Sequence, residues 1–142
     1  MPVEILRLEA SGWLARSQGK NDEALRLLRE AADREDAADK HAVSPGWIVP
    51  AREQLAKLLL ELVRPGDALR EYQSALRVTP NRFNALSGAA DAAAQAKETA
   101  LAKQFYEKLL EIAAPSSKRP EVTVAKAFVS GKSAAGKSSL KR

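Results

Sequence analysis

Ala24-x3-Leu28-x2-Ala31, Ala68-x3-Tyr72-x2-Ala75 and Ala102-x3-Tyr106-x2-Leu109 repeat one spacing three times along the chain. A small residue is followed by a bulky one four positions later and by a further packing residue three after that. Positions three and four apart share one face of a helix, so each copy predicts a helix with a narrow contact edge beside a wide one. The second and third copies begin 34 residues apart, and the first and second 44 apart, which is the same period with ten residues inserted. A period of this length marks a stack of helical hairpins, in which each unit hides its apolar face only against its neighbours.

The flanking sequence fits that reading. Ile5 to Arg16 carries Ile5, Leu8, Gly12 and Ala15 at helical spacing, and Gln18-Gly19-Lys20-Asn21 breaks it. Asn21 or Asp22 is the expected cap of a second helix, which should fray in the acidic stretch Asp33 to Asp39. A third helix is predicted over Ala51 to Val63, with Pro50 in its first turn and Arg64-Pro65-Gly66 as its end. Asp67 should start the fourth, Phe83 to Ala96 form the fifth, and Thr99 cap the sixth. A short seventh helix is predicted after the break at Ala114-Pro115-Ser116-Ser117, with Pro120 in its first turn.

With 142 residues the chain holds one domain of ordinary size. The absence of cysteine removes disulfides, thiolate metal sites and cysteine nucleophiles together. The net charge of +5 is unevenly placed: residues 1–115 hold 16 basic and 17 acidic residues, whereas residues 116–142 hold seven basic and one acidic. The helical part is therefore mixed in sign, as a solvated helix surface is. No apolar run approaches the ~18–20 residues of a membrane span, and Met1-Pro2-Val3-Glu4 lacks the design of a secretory signal. A cytoplasmic location without a membrane span is the expectation.

The spacing resembles the tetratricopeptide repeat. Numbered from Ile5, Val49 and Phe83, the small eighth position is Gly12, Ala56 and Ala90. The small twentieth is Ala24, Ala68 and Ala102, and the bulky twenty-fourth is Leu28, Tyr72 and Tyr106. Leu8, Arg52 and Leu86 stand at position four, where the family commonly has Trp. The stretch from Ala31 to Ala92 is also similar to the C-terminal part of larger bacterial tetratricopeptide proteins of unassigned function, through Lys40-His41, Ser44-Pro45-Gly46, Pro50-Ala51-Arg52-Glu53 and Pro80-Asn81-Arg82-Phe83.

The resemblance implies an all-α fold, a right-handed α-solenoid of three helix-turn-helix repeats at about 5–38, 49–82 and 83–115. An inserted loop at 39–48, a capping helix at about 120–129 and a disordered basic tail at 130–142 complete the expected organisation, with 1–129 as the helical domain. It further implies a concave face lined by positions two, five, nine and twelve of each unit. Among these, Trp13, Arg16, Glu53, Lys57, Asn84 and Asp91 are the candidate partner-binding residues, with Trp47 of the inserted loop as a further anchor. The subclass that grips a peptide's terminal carboxylate uses Lys and Asn where this chain has Glu9 and Trp13, and Lys and Arg where it has Asn84 and Gly88, so no such clamp is expected.

Other patterns carry less. Gly131-Lys132-Ser133-Ala134-Ala135-Gly136-Lys137-Ser138 matches a phosphate loop letter by letter, but only four residues follow, which leaves no helix to hold the phosphates. His41 is the only histidine and has neither a placed nucleophile nor the ligands a metal needs. The expected function is that of a non-catalytic, cofactor-free and metal-free adaptor binding a protein or peptide in its groove. The alternatives are self-assembly into a homo-oligomer through Leu101, Phe105 and the last helix, or anion or nucleic-acid binding by the basic tail. Nucleic acid is disfavoured, because no aromatic side chain follows Phe128 to stack on bases.

Overall fold

Helix follows helix without a strand among the described residues, which in this computed structural model are 3–38 and 49–131. They are α1 (Val3–Ser17), α2 (Asn21–Ala38), α3 (Ala51–Glu61), α4 (Pro65–Val78), α5 (Phe83–Gln95), α6 (Thr99–Ile112) and α7 (Pro120–Val129). Each packs mainly on the next in sequence, and α3 also touches α1 and α5. Odd-numbered helices therefore lie side by side along one wall of the stack, with the even-numbered ones behind them.

The repeated residues do the packing they were expected to do. Ala24, Leu28, Ala68, Tyr72, Ala102, Tyr106 and Leu109 are all buried. Gly12 lies so close to Leu28 that an added Cβ would stand 2.9 Å from its Cγ. The tiny eighth residue thus lets the two helices of the first unit cross in contact. Alanine does the same work in α5, where Ala85, Ala89, Ala90, Ala92 and Ala93 are buried together with Leu86.

The turns obey the period more strictly than the side chains do. Gly19, Val63, Lys97 and Gly131 all adopt positive φ, between 58° and 76°, at successive offsets of 44, 34 and 34 residues. The hydrogen bonds agree: Val63 N–H donates to Leu60 O and Arg64 N–H to Leu59 O, while Lys97 N–H donates to Ala94 O and Glu98 N–H to Ala93 O. This is the Schellman ending, in which a left-handed residue closes the helix. Hence α3 stops at Glu61, short of the Val63 expected, and it is Val63 rather than Gly66 that makes the turn. The turn after α5, which has no glycine, is made by Lys97. Gly131 places α7 in the same phase, so the expected capping helix is built as the first helix of a fourth unit.

Several helix starts differ from expectation. Helix α4 begins at Pro65, with Asp67 in its first turn bonded to Arg64 and Arg70. Thr99 is the first residue of α6 and does not cap it; Glu98 stands at the cap without a side-chain bond. Asn21 accepts from Arg16 Nη1 at 3.0 Å, and Pro50 is the cap residue of α3 rather than part of its first turn.

Helix α2 does not fray at Asp33 but continues to Ala38. Two contacts from the next helix account for this. The Glu35 carboxylate, buried, accepts the Ala51 N–H at 3.1 Å and so supplies the cap that Pro50 cannot. Arg52 donates to Asp33 and Asp36 on α2 and to Glu71 on α4. Burial alone would lower the Arg52 pKa, and the carboxylates of Asp36 and Glu71 more than offset this and raise it. The acidic stretch is thereby neutralised by a cation at position four, the place left without an aromatic. The inserted loop at 39–48 with His41 and Trp47, and residues 132–142 of the basic tail, lie outside the described residues.

Candidate functional site

The wall of odd-numbered helices encloses a groove of about 680 Å³, to which four of them contribute. Trp13 comes from α1; Glu53, Gln54, Lys57 and Leu60 from α3; Asn84, Ser87, Gly88 and Asp91 from α5; and Glu121 from α7. Tyr72 reaches through from α4 to form part of the floor, because Gly88 leaves its ring no side chain to meet. Helical spacing explains the selection: Glu53, Lys57 and Leu60, like Asn84, Ser87 and Asp91, fall on one face of their helices.

Trp13 is fixed by its Nε1, which donates to Gln54 Oε1 at 2.8 Å, while Gln54 Nε2 donates to Val49 O at 3.3 Å. The Lys57 ammonium lies 5.6 Å from the centre of the Trp13 ring, within range of a cation–π contact. Glu53 is buried and paired with Arg82. Burial raises its carboxyl above the usual range, and the guanidinium only partly counters this. Asp91 accepts the Tyr106 hydroxyl at 2.6 Å. Burial, together with that bond, pushes the Tyr106 pKa up, so the hydroxyl stays a donor.

At the α7 end, the Arg119 guanidinium lies 3.7 Å above the Phe83 ring, donates to Asn84 Oδ1 at 3.4 Å and stands 3.6 Å from Glu121. The groove is thus an aromatic and polar trough with charges of both signs. No three His, Cys, Asp or Glu side chains gather among the described residues where they could hold a metal ion.

Five sequence-derived candidates, Trp13, Glu53, Lys57, Asn84 and Asp91, meet in this groove. Arg16 is not among its lining residues; it is held by Asn21 in the turn and by Glu61 at 3.6 Å. Trp47 lies outside the described residues. Gln54, Gly88, Tyr72 and Glu121 line the groove without having been singled out as candidates for it. For Glu121 the signal was available, since it stands one period of 34 after Ser87. For Tyr72 there was none, because its spacing marks a core residue and only Gly88 opens its path. On the surface considered for self-assembly, Leu101 and Phe105 are half-buried against the core. No helix among the described residues is long and apolar enough to cross a membrane.

Paired helices in register around a shared trough define a helical-repeat protein. No protein-family model and no curated protein sequence matches the chain. Solved structures do. The first tetratricopeptide domain of Spaghetti (RPAP3), bound to the HSP90 peptide SRMEEVD, matches with a TM-score of 0.69 at 21% identity, over 92% of this chain and 94% of that one. A tetratricopeptide repeat protein from Parabacteroides merdae gives 0.69 at 24% identity, over 92% of this chain and 46% of that one. PcrH from Pseudomonas aeruginosa gives 0.68 at 16% identity, over 93% of each chain. The chain has the tetratricopeptide-repeat fold.

Proposed function

We propose that the chain is a non-catalytic adaptor that takes a segment of a partner protein into the groove between Trp13 and Glu121. The observation that supports this most is the construction of the groove. Side chains from five separate helices converge on it, and the Trp13 indole, Gln54 amide and Asp91 carboxylate are each held in place by a bond from a neighbouring side chain. Pre-ordered groups of this kind lower the cost of immobilising a ligand. A tetratricopeptide domain of similar fold has been solved with a peptide bound, which adds to the reading. The groove offers no cation at Glu9, Trp13, Asn84 or Gly88, so the terminal carboxylate of a peptide finds no clamp there.

The test is recovery of the partner by immobilised chain carrying Lys57→Glu together with Asp91→Lys, with helicity and unfolding temperature checked alongside. Recovery should fall strongly while the fold is retained. Undiminished recovery would take the groove out of consideration.

A further inference from the structure

We propose that the groove selects a partner segment bearing an arginine or lysine side chain and rejects an acidic one; this rests on the groove being the binding surface. The carboxylates of the site are unequally matched. Glu53 is paired with Arg82, and Glu121 stands near Arg119. Asp91 makes no ion pair among the described residues, and its bonding partner is the neutral Tyr106 hydroxyl. A carboxylate on the wall of a trough, oriented by a neutral donor and without a cation, is a ready acceptor for an incoming one.

Glu9 adds an independent observation. It is the repeat equivalent of Glu53 and Ser87, at the same offsets of 44 and 34 residues, and lies beneath the groove rather than among its lining residues. It is only 8% exposed, and its Oε1 has no hydrogen-bond partner. Such a buried acceptor is costly unless something donates to it. Gln54, which bonds to it, is itself a lining residue. Glu121 Oε2, at the other end of the groove, is likewise without a hydrogen bond.

The cation already present shows how another would be received. Lys57 is exposed and leans over the Trp13 ring, and its flexible stem leaves it free to move aside. A partner's guanidinium laid along α5 could present its planar fork to Asp91, with Trp13 across the groove as an aromatic neighbour. Arg82 and Arg119 are engaged with Glu53, Phe83 and Asn84, so an acidic segment would meet Asp91 and Glu121 with Lys57 as its main compensation.

Two probes test this on the full chain: N-acetylated, C-amidated Gly-Leu-Arg-Leu-Gly, and the same peptide with Glu in place of Arg. Binding is followed by NMR at the Ser87, Gly88 and Asp91 amides. The Arg peptide should bind at least about tenfold more tightly, with a preference that shrinks as salt is added. Asp91→Asn, which keeps an acceptor for Tyr106, should reduce the preference to about twofold, while Glu30→Gln on the far side of α2 should preserve it. Equal or tighter binding of the Glu peptide, a preference that survives Asp91→Asn, or no shift with either peptide at millimolar concentration would each overturn the proposal. Reversed peptide preference with partner recovery still sensitive to the Lys57/Asp91 reversal would sink the charge selectivity alone. Partner recovery that ignores the reversal would sink the groove as well.

Discussion

Gly88→Ala should destabilise the protein, although alanine is the better helix former. In an open helix interior this exchange is worth about 1 kcal/mol in favour of alanine. At Gly88 the added Cβ would stand 2.6 Å from Tyr72 Oη and closer still to the ring atoms Cζ and Cε1. The ring is 6% exposed and packed in the main core, so it cannot simply swing away. Overpacking of a filled core costs about 1–3 kcal/mol, and a contact this close belongs at the upper end. The net expectation is a loss of about 1–2 kcal/mol, read as a fall of about 3–8 °C in unfolding temperature for a domain of this size. Gly66→Ala supplies the control, because Gly66 lies in the first turn of α4 with nothing within 4 Å of the new methyl. It should raise stability by about 0.5–1 kcal/mol. Adding Tyr72→Leu to Gly88→Ala should recover part of the loss, and a double-mutant cycle over the pair should show coupling of about 1 kcal/mol or more. If Gly88→Ala raised the unfolding temperature as Gly66→Ala does, the close approach of α4 and α5 would be wrong.

Val63→Gly should stabilise the chain by up to about 1 kcal/mol, because left-handed backbone costs a β-branched residue about 1–2 kcal/mol and glycine returns only part of that as entropy. Val63 is 80% exposed, so no packing is lost; Lys97→Gly should act in the same direction and Gly19→Ala in the opposite one, all read from urea midpoints. Burial raises the Glu9 carboxyl above its ordinary value near 4.5, and the Gln54 amide counters this only partly. The folded state therefore holds more protons than the unfolded one just above that pH, and wild-type stability declines as pH rises through this window. Glu9→Gln removes Glu9's share of the slope and leaves that of the buried Glu53: its stability relative to wild type should climb from pH 4 to pH 7, and a relative fall over that range would contradict the assignment.

The period was legible in the sequence because it is carried by side chains that must fit: Gly12 against Leu28, and Ala68 and Ala102 in a filled core. The break at Gly19 was legible too, whereas the turn after α3 was expected at Arg64-Pro65-Gly66, because a Schellman ending is a backbone state that Val63 and Lys97 enter as well as Gly19 does. The acidic end of α2 was misread for a related reason. Local composition favours fraying, and the neutralising Arg52 comes from the helix beyond the insertion. In the site, repeat register located Glu53, Lys57, Asn84 and Asp91, whereas Arg16 turned out to be occupied with its own turn. Gln54 could be recognised only from a contact, its bond to the Trp13 indole across two helices.

The junction made by Glu35 and Arg52 has a consequence for how this lineage can change. It rivets the end of one hairpin to the beginning of the next from within the helices themselves, using Ala51 N–H, Asp33, Asp36 and Glu71. The connector between them is therefore relieved of setting the superhelical phase. Changes in the length or composition of that stretch need not re-lay the helices on either side of it.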